Sequence, residues 1–271
     1  MNKVLVIPVC YNAEGDALNL LASIESAAEF AKASDLTVAL ADNSTAVSDR
    51  LKDYRSSRFQ YKYCKYDNLG YFPGFYAASQ NFDVKEFDFV IVCNVDLVLD
   101  ETFFSELCEF DSEDTCILAP SIISKENGRD LNPKIVNRPS RKKLTFLYRL
   151  FQYPWLYKFY FKLSLAKADK SAKDIREAKD GLSIYAPHGS FVIFGRSFFN
   201  LGGSINYPRF LFGEEVFLGE LCRQIRGEVR YSKSLKIIDN EHGSTSQINA
   251  VFLSQQHVLS YKFLIDRFFC E

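Results

Sequence analysis

The feature that most constrains the fold is an alternation between two hydrophobic periods over the first 120 residues. Val4 to Cys10 is a short apolar run rich in β-branched residues, the pattern of a strand buried on both faces. Ala17 to Ala33 follows with Leu18, Leu21, Ile24, Ala28 and Ala31 at helical spacing. Leu36 to Ala41, Phe59 to Tyr66, Phe87 to Cys93 and Cys116 to Ile123 read as further strands. Val47 to Arg55, Phe75 to Phe82 and Glu101 to Phe110 read as helices between them. Such alternation on short links predicts a mainly parallel sheet covered on both faces. Ligands of such sheets bind beyond the carboxyl ends of the strands. Tyr11-Asn12, Asp42-Asn43-Ser44 and Asn94-Val95-Asp96 each follow a buried strand and should therefore line one edge. Asp and Asn are also ordinary turn residues. Three such clusters at successive strand ends favour a site over turns alone.

Composition narrows the class. The chain has 271 residues, 47% hydrophobic and 25% charged, which excludes a disordered or collagen-like protein and allows one large domain or two small ones. The net charge of −1 argues against a generic nucleic-acid binder. That number is a cancellation. Residues 138–180 hold twelve Lys/Arg against four Asp/Glu, a local +8, which leaves −9 for the rest. Uncharged stretches such as 181–195 are too short to span a membrane, and the N-terminus lacks the apolar region of a leader. The seven cysteines form no CxxC pair and several sit in apolar runs. Reduced thiols in a cytoplasmic protein are the expectation.

The second half is less regular. Ser183 to Phe194 reads as a strand or hairpin, Phe210 to Arg226 as a helix, Glu228 to Asp239 as a strand and Gln247 to Phe269 as a terminal helix. Asn94-Val95-Asp96 at the end of the central strand offers hard oxygen ligands suited to Mg²⁺ or Mn²⁺. Neither a P-loop nor a GxGxxG follows the first strand, so a bound nucleotide must be held by side chains and metal. Glu214 and Glu215 open an otherwise apolar helix. They either complement its dipole or place a general base at a pocket rim. His242, just after a strand, is either structural or completes a metal site begun by Asp96, and His188 is equally ambiguous. His257 reads as structural.

Seven segments in order carry a resemblance: VIPVCYN, ADNST, NLGYFPGF, NVD, HGSFVIFGRSFF, FLFGEEVFLGE and EHGSTS. Together they resemble the family 2 glycosyltransferases of the GT-A fold, in particular bacterial enzymes that build capsule, O-antigen or exopolysaccharide. The resemblance implies an α/β nucleotide-binding, mainly parallel sheet flanked by helices, with a basic aromatic helical insertion and a C-terminal helix. It divides the chain into a nucleotide-sugar-binding half (1–123), the insertion (124–182), an acceptor or catalytic half (183–246) and the terminal helix (247–271). Pro8, Tyr11 and Asn12 match the segment that contacts the donor nucleotide. Asp42 matches the acid that binds base or ribose, and Asn68 and Gly70 the turn that closes over the nucleotide. Asn94-Val95-Asp96 takes the place of the DxD motif, with Asp96 the metal and diphosphate contact. Glu215 matches the catalytic base, and His242 a residue that ligates the metal in some relatives.

The chain departs from the pattern at three places. Asn94 replaces the first acid of the DxD motif, which removes one charge from the metal site; Val95 replaces a common proline; and Glu214-Glu215 stands for the ED motif, so Glu214 remains an alternative base. What the resemblance implies is an inverting, metal-dependent hexosyltransferase. It would move a sugar from a UDP- or dTDP-sugar such as galactose, galactofuranose or rhamnose to a lipid-linked bacterial polysaccharide. A degenerate GT-A domain acting as a non-catalytic binding subunit is the alternative. Between Arg138 and Lys162 there are seven Lys/Arg, no acid, and nine aromatics. Three readings fit that segment: a helical pair packed in the core or in a homodimer, a single-stranded nucleic-acid surface, or docking on an anionic membrane at the cytoplasmic face. Pro154 predicts two helices there.

Overall fold

The computed structural model describes residues 2–31, 35–171, 178–240 and 249–270. The apolar runs become β1 (Lys3–Cys10), β2 (Asp35–Asp42), β3 (Gln60–Lys65) and β4 (Phe89–Asn94), all parallel, in the spatial order β3-β2-β1-β4. Between them lie α1 (Glu14–Ala31), α2 (Asp49–Lys52) and α3 (Tyr71–Ser79). The sheet continues through β5 (Leu97–Leu99), α4 (Phe103–Leu107), β6 (Ile117–Ser124), α5 (Arg141–Phe151) and α6 (Pro154–Ser171). The chain ends with β7 (Ser183–Ile184), β8 (Phe191–Gly195), α7 (Arg196–Asn200), α8 (Glu214–Gln224), β9 (Val229–Asp239) and α9 (Ala250–Phe268).

Among the described residues, nine strands form one sheet, ordered β3-β2-β1-β4-β8-β6-β9-β5, with β7 beside β9. The first half is parallel as its periodicity predicts. β8 runs antiparallel to both β4 and β6, so the second half is mixed. Alternate residues of β1 enter two cores. Leu5, Ile7 and Val9 face one, with Phe72 and Phe217; Val4, Val6 and Cys10 face the other, with Leu20 and Phe103. Burial on both faces is why these strands read as continuous apolar runs. The β1–β2 ladder lapses at Ile7 and Pro8, where the proline has no amide hydrogen to donate.

Helix α3 starts at Tyr71, four residues before its apolar period suggests, because Pro73 is tolerated within a first helical turn. Strand β5 is only three residues long, too short to leave a periodic signal. Pro154 occupies the first position of α6 and separates it from α5. Helices α5 and α6 pack on α9 through Leu147, Phe151 and Tyr157, beside Leu253 and Tyr261. Arg138, just before α5, makes a two-pronged contact with buried Glu220 of α8, at 2.7 and 3.0 Å, and its guanidinium covers the Phe269 ring. The first cation of the basic segment therefore belongs to the fold. All seven cysteines are free thiols. Among the described residues, no helix is long and apolar enough to cross a membrane.

Candidate active site

The strand ends align as the sequence pattern predicts. Cys10 is level with Asp42, Asp42 with Lys65, and Val9 with Asn94. The loops leaving β1 and β2 are tied together at that edge. Asn12, at φ 52°, accepts from the Thr45 amide and hydroxyl at 3.0 and 3.1 Å, and its own amide donates to the Ser44 hydroxyl at 2.8 Å. Tyr11 beside it is 40% exposed, so its ring is open to a ligand. Pro8 lies buried within β1, one turn of the pleat inside the edge. Asp42 is fully buried and accepts from the Ser44 amide and the Tyr63 hydroxyl. Its carboxylate thus shapes the rim from below.

The turn before α3 is fastened from two sides. Asn43 donates to the Gly70 carbonyl at 2.8 Å and accepts from the Leu69 amide at 3.3 Å. Gly70, at φ 92°, lies against the backbone of Phe210 in the loop before α8, and the Tyr71 amide donates to the Phe210 carbonyl at 3.1 Å. Asn68 stands exposed at the tip of that turn. Phe210 is thereby locked to the turn that leads into α3. Phe212 and Gly213 both take left-handed backbone, at φ 66° and 86°, and so turn the chain into α8.

Glu214 and Glu215 occupy the first turn of α8, where the helix dipole favours negative charge. The Tyr71 hydroxyl donates to the Gly189 carbonyl at 2.8 Å. Burial raises that phenol well above its ordinary range, and Cys93, Glu214, Asp96 and Glu215 act on it in the same direction. One hydroxyl thus feels the end of β4 and the start of α8 together. Burial, followed by the charge of Glu215, pushes the Glu214 carboxyl well above the usual carboxylate range, opposed by its own amide and by Lys134. The Glu214 carboxyl lies flat on Gly189, where an added Cβ would stand 2.8 Å from Oε1.

Lys134 and its support were not legible as site residues. Buried Asn132 donates to the Pro120 carbonyl at 2.9 Å and accepts from the His188 amide at 2.8 Å and the Lys134 amide at 3.2 Å. It pins three loops at one point. Burial, with Lys134 adding to it, brings the His188 ring down to about 3, so the ring is neutral. His188 Nδ1 lies 2.7 Å from the Ser190 hydroxyl and 3.3 Å from the Ser190 amide, so the ring is held by its own loop. The contacts of Tyr71 and Asn132 were not legible in the sequence because their partners lie 118 and 56 residues away.

A divalent cation has a partial set of hard donors here. Asp96 and Asn94 flank the end of β4, with Val95 buried between them. Among the described residues, no group of three or more His, Cys, Asp or Glu is gathered as a metal site. Asp96 and Asn94 offer hard oxygen donors but too few for a protein cage, so a cation here would have to draw its remaining ligands from elsewhere, such as phosphate oxygens. His242 lies outside the described residues. The chain reaches that segment from beside Asp96: Leu97 is level with Asp239, and the Asn240 amide donates to the Asp96 carbonyl at 3.1 Å.

No family model matches the chain, and no curated protein matches it. Solved structures do. The chain is similar to GalNAc-T7, crystallised with UDP, GalNAc and Mn²⁺, with a TM-score of 0.61 and 13% identity over 98% of this chain and 48% of that one. It is similar to S. aureus TarS with a TM-score of 0.53 and 10% identity, over 99% of this chain and 44% of that one. S. aureus TarS 1-349 in complex with UDP-GlcNAc gives a TM-score of 0.51 and 12% identity, over 96% of this chain and 66% of that one. The chain spans about half the length of the first two. Likeness at such identities speaks for architecture, and with the mixed sheet and its aligned strand ends it shows that this chain has the GT-A fold of these glycosyltransferases.

Proposed function

We propose that the protein is an inverting glycosyltransferase that takes a sugar from a nucleotide-sugar with the help of Mn²⁺ or Mg²⁺. The observation that supports this is the likeness to the GT-A fold together with Asn94 and Asp96 at the end of β4, at the strand edge where such folds bind ligands. Tyr11, Asn12, Asn68 and Gly70 form the rim for base and ribose, with Asp42 beneath them. Asp96, aided by Asn94 and by His242, would hold the cation together with the donor diphosphate. When bound there, the cation neutralises charge on the departing nucleoside diphosphate.

Protein groups do the rest. Glu214 is the alternative base; the base in this reading is Glu215, which the resemblance matches to that role. It takes the proton of an acceptor hydroxyl as that oxygen attacks the anomeric carbon. The bond from that carbon to the diphosphate oxygen breaks, and its electron pair leaves with the nucleotide. Lys134 acts electrostatically on both Glu214 and His188, and its positive charge would favour an anionic donor there. The resemblance to capsule and O-antigen enzymes names UDP- or dTDP-hexoses as donors and a lipid-linked saccharide as acceptor.

A thermal-shift screen of nucleotide-sugars with and without Mn²⁺ tests this reading. A donor at a hundredfold over its Kd should add about 2.7 kcal/mol of stability. Asp96→Ala should weaken the Mn²⁺-dependent part at least about tenfold, or about 1.4 kcal/mol. Equal affinity of that variant in a calorimeter with Mn²⁺ would remove Asp96 from the site. A non-catalytic binding domain is favoured by one observation, the amide of Asn94 in place of an acid. Donor binding without any sugar release by the wild-type chain would select that reading.

A further inference from the structure

The outer faces of α5 and α6 take no part in the site just described. Their inner faces make the small core against α9. Lys142, Phe146, Arg149 and Tyr153 recur at helical spacing along α5 and its exit, and all are exposed. Trp155, Phe159 and Lys162 recur likewise on α6, with Lys158 beside them. Phe146, Tyr153, Trp155 and Phe159 are 59, 55, 67 and 59% exposed. A helical pair that already buries its core has no packing reason to hold four large aromatics in water. Not one Asp or Glu occurs from Arg141 to Leu163. Arg141, Lys142 and Arg149 ring Phe146 around a shallow depression.

Cations interleaved with exposed aromatics match the interface of an anionic bilayer, where Trp and Tyr sit at headgroup level and Lys/Arg meet phosphates. A second copy of the chain would bring two like-charged faces together. A nucleic-acid strand would need a groove that tracks its backbone, and these residues stand on the outside of helices. We propose that α5 and α6 dock this protein on an anionic phospholipid surface. Lys142, Arg149 and Lys158 contact headgroup phosphates while Phe146, Trp155 and Phe159 enter the interface. The docking deepens the proposed transfer, because it holds α9 and the neighbouring α8 site near a membrane-anchored acceptor.

Trp155 is the only tryptophan of the chain, so its own fluorescence reports the event. The full chain is titrated with vesicles of phosphatidylcholine alone and of phosphatidylcholine with phosphatidylglycerol, followed by sedimentation. A blue shift and pelleting are expected with the anionic vesicles only. Lys142→Gln with Arg149→Gln should weaken partitioning roughly 30-fold, from the worth of two surface cations. Phe146→Ala with Phe159→Ala should weaken it independently, and a thermal melt of each variant checks that it is folded. The proposal is overturned by an absent shift, by an equal shift on neutral vesicles, or by undiminished binding of both double variants. It is equally overturned if the shift appears with single-stranded RNA or on raising protein concentration alone. Vesicle binding is measured without donor or cation, so its outcome stands apart from that of the transfer reading.

Discussion

Glu215→Gln is expected to lower sugar transfer about 10²- to 10⁴-fold, the usual worth of a positioned general base. Donor affinity should stay as in the wild type, because the amide keeps the size of the side chain and the proposed diphosphate contacts lie at the end of β4. The contrast lies in Glu214→Gln. Burial and the Glu215 charge push the Glu214 carboxyl up, toward the neutral form that an amide mimics. That variant should lose far less. The check is single-turnover release of nucleoside diphosphate, alongside calorimetric donor binding for both variants. Near-normal turnover by Glu215→Gln, or a larger loss for Glu214→Gln, would reverse the roles of the two carboxyls.

Gly70→Ala is expected to cost about 4 kcal/mol, the sum of a strained backbone and an overpacked contact. Gly70 sits at φ 92° and ψ −175°, a region that side chains other than hydrogen scarcely enter. A Cβ there would stand 2.3 Å from the Phe210 carbonyl oxygen and 2.8 Å from the Phe210 Cα. Backbone has no rotamer by which to withdraw. Phe210 must move, and residues 211–213 lead straight from it to Glu214 and Glu215. Calorimetric melting should show a drop of roughly 8–16 °C, at 2–4 °C per kcal/mol. Transfer by the variant that remains folded should fall as well. A loss below about 1 kcal/mol would mean that the turn does not lean on Phe210 as the geometry requires.

Much of the architecture was legible before any coordinates. β1 to β4 lie within one or two residues of their apolar runs, and Tyr11-Asn12, Asp42-Asn43-Ser44 and Asn94-Val95-Asp96 meet at one edge. The break at Pro154 and the terminal helix were legible for the same reason. Period, proline and turn chemistry act over a few residues, so they survive in a linear chain. β5 escaped because three residues hold no period, and β8 was legible as a strand but not in its direction.

Strand–helix order, the aligned strand ends and the candidate acids beside them follow from local period and turn chemistry. The surroundings of Glu214 and Glu215 follow from the fold. Whether Glu214 or Glu215 holds a proton depends on burial and on which charges stand nearby, and neither is a local property. Tyr71 joins the site through Gly189, Arg138 leaves the basic surface for Glu220, and Asn132 ties Pro120, Lys134 and His188. Each of these rests on groups brought together across tens of residues, which chain order does not encode.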